Sequence, residues 1–239
     1  MDAIPDREPV QASITGFWNI VAPHYEGHPG NTVPFGSAAH RGWVDLFARV
    51  LPQPPADVLD LGTGTGFSAL IAASLGHDVV GIDLAGGMLE IARELAAGHG
   101  LRVRFEEGDA VAPPFGEATF DAITCRHLLW TLRDAEHALS NWRRLLRPGG
   151  RVVALDAFRP RPDPSAEEDP EDIFGKHYTP EVRGALPFLH VQDGTPLVAA
   201  FRGAGFVEIA VDLLPPEFAQ DGGDGARPYV LVGRAPPAA

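Results

Sequence analysis

The apolar positions along the chain change their period twice. Ile14, Phe17, Trp18 and Val21 recur at helical spacing, Pro23 marks the end of that helix, and residues 1–12 read as a frayed polar tail. A loop rich in Gly, Pro and His follows. Ser37, a hydroxyl N-cap, then opens an amphipathic helix to Leu51 with Trp43, Leu46, Phe47 and Val50 as its stripe. Beyond the prolines of 52–55, short apolar runs alternate with helical patterns. Strands are expected at 57–61, 78–83, 102–106, 121–125 and 151–158, and helices at 67–75, 86–97 and 134–146. Asp134 is the N-cap of the last helix, and Gly149 and Gly150 lie past its end. Such alternation builds a parallel, doubly wound α/β sheet. Residues 159–187 interrupt it with clustered prolines and an acidic run at 163–172, an insertion after the fifth strand. Thr195 as N-cap, followed by Pro196, opens one more helix that ends by Gly205. Two final strands at 206–214 and 228–233 have no helix between them, so they pair antiparallel and complete a seven-stranded sheet.

Composition narrows the partners. The 239 residues carry 19 basic and 32 acidic side chains, a formal net charge of −13. Nucleic-acid binding draws on Lys and Arg neutralising phosphates, and no basic run offers that. No stretch approaches the roughly 20 apolar residues of a membrane helix, and the N-terminus lacks a signal-peptide core. The expectation is a cytoplasmic protein with neither nucleic-acid nor membrane partners, acting as a monomer or homodimer. The single cysteine, Cys125, excludes an internal disulfide, and the histidines have no metal-ligand spacing, so no metal is expected.

The strongest chemical signal is Val58-Leu59-Asp60-Leu61-Gly62-Thr63-Gly64-Thr65-Gly66-Phe67, a Gly-rich turn between a strand and a helix. A dinucleotide fingerprint places its third glycine at the helix start. Counted from Gly62 that place is Phe67, and counted from Gly64 it is Ala69. Asp60 would repel a pyrophosphate there but would attract an ammonium group or accept from loop amides, which points to a cationic ligand. Asp83, ending the second strand, suits a ribose diol, with an N-cap of the following helix as its alternative. Asp109 follows the third strand and can accept from an adenine amino group. All three carboxylates fall at carboxyl ends of parallel strands, where open sheets bind ligands.

With Gly81-Ile82-Asp83-Leu84, Met88-Leu89, Glu107-Gly108-Asp109-Ala110, Phe120-Asp121-Ala122-Ile123 and Leu146-Arg147-Pro148-Gly149-Gly150, the chain resembles the class I S-adenosylmethionine-dependent methyltransferases, in particular the small-molecule branch that includes quinone-biosynthesis and natural-product enzymes. The resemblance implies a Rossmann-like seven-stranded sheet with the last strand antiparallel and a helical N-terminal lid at 1–52. It implies a cofactor-binding domain at 53–239, with an insertion at about 159–190 contributing to the acceptor pocket. S-adenosylmethionine is the implied cofactor and S-adenosylhomocysteine the product. Its implied contacts are Asp60, Gly62, Thr63, Gly64, Gly66, Asp83, Leu84, Met88, Asp109, Ala110 and a backbone contact at Arg126.

The implied reaction is methyl transfer to an O, N or C nucleophile of a small molecule, a secondary metabolite, with methylation at carbon of a quinone as an alternative. A non-catalytic cofactor-binding protein is the other. His127, at the rim past the fourth strand, is the candidate base or acceptor-orienting group, with strand capping or packing under Trp130 as its structural alternative. By resemblance Tyr25 closes over the cofactor. Trp18, His24, His28, Trp130, His177 and Tyr178 are candidate acceptor contacts.

Overall fold

In the computed structural model, which describes residues 7–27, 33–159, 172–218 and 225–238, the strands are β1 (Asp57–Leu61), β2 (Asp78–Asp83), β3 (Arg104–Glu107), β4 (Phe120–Arg126), β5 (Leu146–Phe158), β6 (Val207–Leu213) and β7 (Arg227–Arg234). They form one sheet in the order β3-β2-β1-β4-β5-β7-β6. The pairs from β3 through β5 are parallel, and β7 runs antiparallel to both β5 and β6.

The helices are α1 (Arg7–Tyr25), α2 (Ala38–Val50), α3 (Phe67–Ser74), α4 (Gly86–Gly98), α5 (Ala135–Leu145), α6 (Ile173–His177), α7 (Pro180–Gly184) and α8 (Thr195–Gly203). Successive strand residues face opposite layers. Val58, Ala122, Val153 and Leu155 pack against α2, α3 and α4, while Leu59, Ile123, Val152 and Ala154 pack against α5 and α8. Burial on both faces explains why these strands read as continuous apolar runs.

The chain departs from its sequence pattern at three places. The presumed tail is helical from Arg7, because Val10 and Ile14 bury against Tyr178, Val182 and Leu186 of the post-β5 segment. Pro23 does not end α1 but lies in its last turn, where one missing N–H costs little. Thr195 is the first residue of α8 and not its cap; Gly194 precedes the helix, and Asp193 Oδ1 accepts from Thr195 N at 2.7 Å. Ser37 and Asp134 cap α2 and α5 as their sequence context suggests, accepting from His40 N and His137 N. Most of the acidic 163–172 run lies outside the described residues; its last member, Asp172, accepts from Phe174 N and Gly175 N and caps α6.

Candidate active site

Parallel strands bring their carboxyl ends to one edge of the sheet, and the loops leaving β1, β2, β3 and β4 surround a cleft with about 750 Å³ of empty space. Gly62, Gly64, Asp83, Leu84, Met88, Asp109, Ala110, Arg126 and His127 line it from the sheet. Trp18 and Tyr25 close it from α1. The Gly-rich turn needs its glycines. Gly62 and Gly64 have φ of 58° and 54°. A Cβ on Gly62 would come within 2.7 Å of Leu128, whereas one on Gly64 would meet nothing within 4 Å. Gly64 therefore exposes bare backbone to the cleft.

Asp60 is 1% exposed and accepts from the hydroxyls of Thr63 and Thr124, each at 2.6 Å. Burial pushes its carboxyl up to about 6, against the pull of those hydroxyls. It borders a smaller space, with Tyr25, Gly62, Thr63, Gly64, Ser68 and Arg126 around it. Ser68 Oγ is buried there without a hydrogen-bond partner among the described residues, an orphan that a bound polar group would satisfy. The Arg126 guanidinium stacks 4.1 Å from the centre of the Phe67 ring. Thr63 thus holds Asp60 beneath the turn, and at Gly66 a Cβ would press on Phe105 at 3.1 Å.

Asp83 takes one amide on each oxygen, from Gly64 N and from Ala85 N, both at 2.8 Å. Burial raises its carboxyl above the ordinary range, and the amides oppose that. The residue before α4 is Ala85, which makes no side-chain cap, so Asp83 does not cap that helix. Its oxygens keep their second lone pairs for a diol in the cleft. Asp109 differs. Its Oδ1 accepts from Val111 N at 2.8 Å, and both its oxygens receive Arg133, at 2.5 and 3.3 Å. Arg133 Nη1 also donates to Gln11 Oε1 on α1. Asp109 is thus an ion-paired carboxylate at the rim of the cleft.

His127 sits at the end of β4 with φ of 53°. Its N–H donates to Leu155 O at 2.9 Å and its Nδ1 lies 3.1 Å from Asp156 Oδ1. Four proposed acceptor contacts stand away from the cleft. His24 is exposed on α1. His177 Nδ1 bonds to Ser13 O at 3.0 Å, and Tyr178 is fully buried with its hydroxyl 2.8 Å from Thr131 Oγ1. Trp130 packs 5.2 Å from the Tyr178 ring. These side chains dock the post-β5 segment under α1. His28 lies outside the described residues. Sequence reasoning missed Gln11, Thr15, Arg133 and Asp156, because nothing local links residues 11, 109 and 133. Among the described residues, no cluster of His, Cys, Asp and Glu is arranged to hold a metal, and no helix is long and apolar enough to cross a membrane.

Comparison with known proteins bears on this site. Residues 58–150 match a family model described as a methyltransferase domain. A demethylmenaquinone methyltransferase of Thermus thermophilus is 42% identical over 148 residues, a match spanning 61% of this chain and 62% of that protein. The corresponding protein of Renibacterium salmoninarum is 30% identical over 183 residues, covering 76% of this chain and 70% of the relative. Among solved structures, the [4+2]-cyclase SpnF superimposes with a TM-score of 0.70 at 21% identity, over 94% of this chain and 96% of that one.

Proposed function

Because the chain belongs to the class I S-adenosylmethionine-dependent methyltransferases, we propose that it transfers a methyl group to an O, N or C nucleophile on a small molecule. The observation that carries this reading is the cleft itself. Bare backbone at Gly64, the amide-cradled Asp83 and the orphaned Ser68 hydroxyl border two neighbouring spaces at the strand ends, which share Tyr25, Gly62, Gly64 and Arg126. These groups fit S-adenosylmethionine, which when bound supplies a methyl carbon on a sulfonium and a neutral thioether leaving group.

Asp83 binds the ribose hydroxyls, and Leu84, Met88 and Ala110 border the adenosine. Asp60, ionised, complements the cationic end from beneath the loop. Tyr25 and Trp18 cover the site, so α1 acts as its lid, whereas α2, expected from sequence to share in that lid, packs into the core of the sheet; exclusion of water under α1 favours displacement. The post-β5 insertion supports the lid by packing under α1. His127 orients the acceptor and takes its proton where one must leave.

Relatives named for demethylmenaquinone methylation favour a quinol ring as acceptor and methylation at carbon. A non-methylating role is the second reading, favoured by the likeness in fold to a protein named for [4+2] cyclisation.

Calorimetry with S-adenosylmethionine and with NAD tests the premise: the first binds and the second does not, and binding of NAD alone overturns it. Turnover is tested on 1-naphthol, 1,4-naphthohydroquinone and simple amines, and cofactor binding without methylation of any of them favours the second reading. Asp83→Ala weakens S-adenosylmethionine about 10-fold or more, since hydrogen bonds to a charged group contribute roughly 1.5–3 kcal/mol. An unchanged affinity removes the ribose assignment.

A further inference from the structure

Asp156, third from the end of β5, has no role in the reading above, yet its carboxylate faces His127. Its side chain is 3% exposed. Oδ1 lies 3.1 Å from His127 Nδ1, 2.8 Å from Ala157 N and 3.3 Å from Arg159 Nη1. An ionised carboxylate only accepts, so a neutral His127 must carry its proton on Nδ1 and its basic lone pair on Nε2. The main chain holds the ring as well, through the left-handed backbone of His127 and its N–H bond to Leu155 O. Such strain persists only where the surroundings over-determine it, as they do at ligand sites.

His127 and Arg126 border two spaces at once. One is the cleft of the cofactor. The other is a crevice of only about 10 Å³, walled by Trp43, Phe218, Pro228 and Tyr229, with Asp156 on its border. The imidazole therefore stands at the wall between the cleft and this aromatic crevice.

We propose that Asp156 is a positioning residue, holding His127 as proton acceptor for a phenol or enol presented at the cleft beside it. This rests on the methyl-transfer reading. The acceptor's oxygen, or the enol's carbon, gives an electron pair to the methyl carbon. The carbon–sulfur bond breaks with its pair left on sulfur, and the hydroxyl proton passes to His127 Nε2. The positive charge lost from sulfur thus reappears on the imidazolium, which faces the Asp156 carboxylate across Nδ1–H. Arg126 from β4, Arg159 beyond β5, Tyr229 from β7, and Cys125 and Asp60 beneath share these surroundings. Burial raises both the Tyr229 hydroxyl and the Cys125 thiol, so both stay neutral while an imidazole titrates.

Nitrogen-15 NMR of histidine-labelled protein, with His127→Gln to assign the signal, reads the tautomer directly. The Nδ1–H form is the expected result, and an Nε2–H form overturns the proposal. In Asp156→Asn calorimetric affinity for S-adenosylmethionine stays within about twofold. Methylation of whichever of 1-naphthol and 1,4-naphthohydroquinone the wild type uses falls about 100-fold, the scale of general base catalysis. An unchanged methylation rate, or an equal loss of cofactor affinity, makes Asp156 purely structural. A wild type that methylates amines but neither hydroxyl compound defeats the acceptor class. If Asp156→Asn fails to fold, the wild-type tautomer decides alone. A wild type that binds no S-adenosylmethionine defeats the parent reading and this proposal together, whereas a binding wild type with the Nε2–H tautomer defeats only the proposal.

Discussion

Asp60 shows how one residue's chemistry depends on its burial. In the folded protein its carboxyl keeps its proton up to about pH 6, while an ordinary aspartate releases it near 3.8. Between those values the folded state binds more protons than the unfolded state, so Asp60's contribution to stability falls as pH rises and levels off above about 6. Urea unfolding of wild type and Asp60→Asn at several pH values between 4 and 7 isolates that slope. The wild type loses stability relative to Asp60→Asn across the window, by roughly 1–3 kcal/mol at one pKa unit per 1.36 kcal/mol. Parallel pH dependences would show that Asp60 titrates at its ordinary value. Sequence placed Asp60 at the end of a buried strand before a Gly-rich turn, and that much follows from local pattern. Its two threonine partners do not: Thr63 is three residues away, but Thr124 comes from the neighbouring strand β4.

At the scale of elements, α1 is fixed by contacts with segments far along the chain. Asn19 Oδ1 accepts from Gly87 N at the start of α4, and a Cβ on Gly87 would lie only 3.3 Å from that of Ala22. Near its other end, Gln11 accepts from Arg133, which is itself paired with Asp109. Tyr178, buried and bonded to Thr131, presses the α6 and α7 segment under the same helix. Arg133→Gln breaks a charge-assisted pair that is mostly shielded, worth about 1–3 kcal/mol. Hydrogen exchange in α1 then accelerates about tenfold or more, while exchange in the sheet is unchanged. Protection in α1 equal to the wild type would show that Gln11 and Arg133 do not hold the helix. The apolar stripe of α1 was legible from Ile14 onward. Its first turns were not, because their burial depends on a segment more than 160 residues away.

At the scale of the whole molecule, one sheet joins two cores, and the cleft lies across the strand ends that both cores fix. Trp142 ties one core to the site, its fully buried indole donating to Ala110 O at 2.7 Å. A ligand that binds only the folded cleft stabilises the entire domain by mass action, about 2.7 kcal/mol at 100 times its Kd. For a domain of this size that raises Tm by about 5–10 °C. Thermal scans with S-adenosylmethionine, S-adenosylhomocysteine and NAD read this, with a shift for the first two only. A shift with NAD and none with S-adenosylmethionine would remove the cofactor assignment.

By itself the sequence determined the order of strands and helices outside the post-β5 segment, where α6 and α7 went unread, the antiparallel closing pair, the caps at Ser37 and Asp134, and the turn of Gly62, Gly64 and Gly66. Each of these rests on side-chain period, hydroxyl or carboxylate caps, or backbone freedom, which act over a few neighbouring residues. The strand-end positions of Asp60, Asp83 and Asp109 followed from the same local pattern. Only the tertiary structure decided what each carboxylate faces: hydroxyls for Asp60, amides for Asp83, a guanidinium for Asp109 and an imidazole for Asp156. It likewise moved Tyr178 and His177 from expected pocket walls to the packing beneath α1. These outcomes are set by which distant segments share a volume, and the period of a single chain carries no record of that.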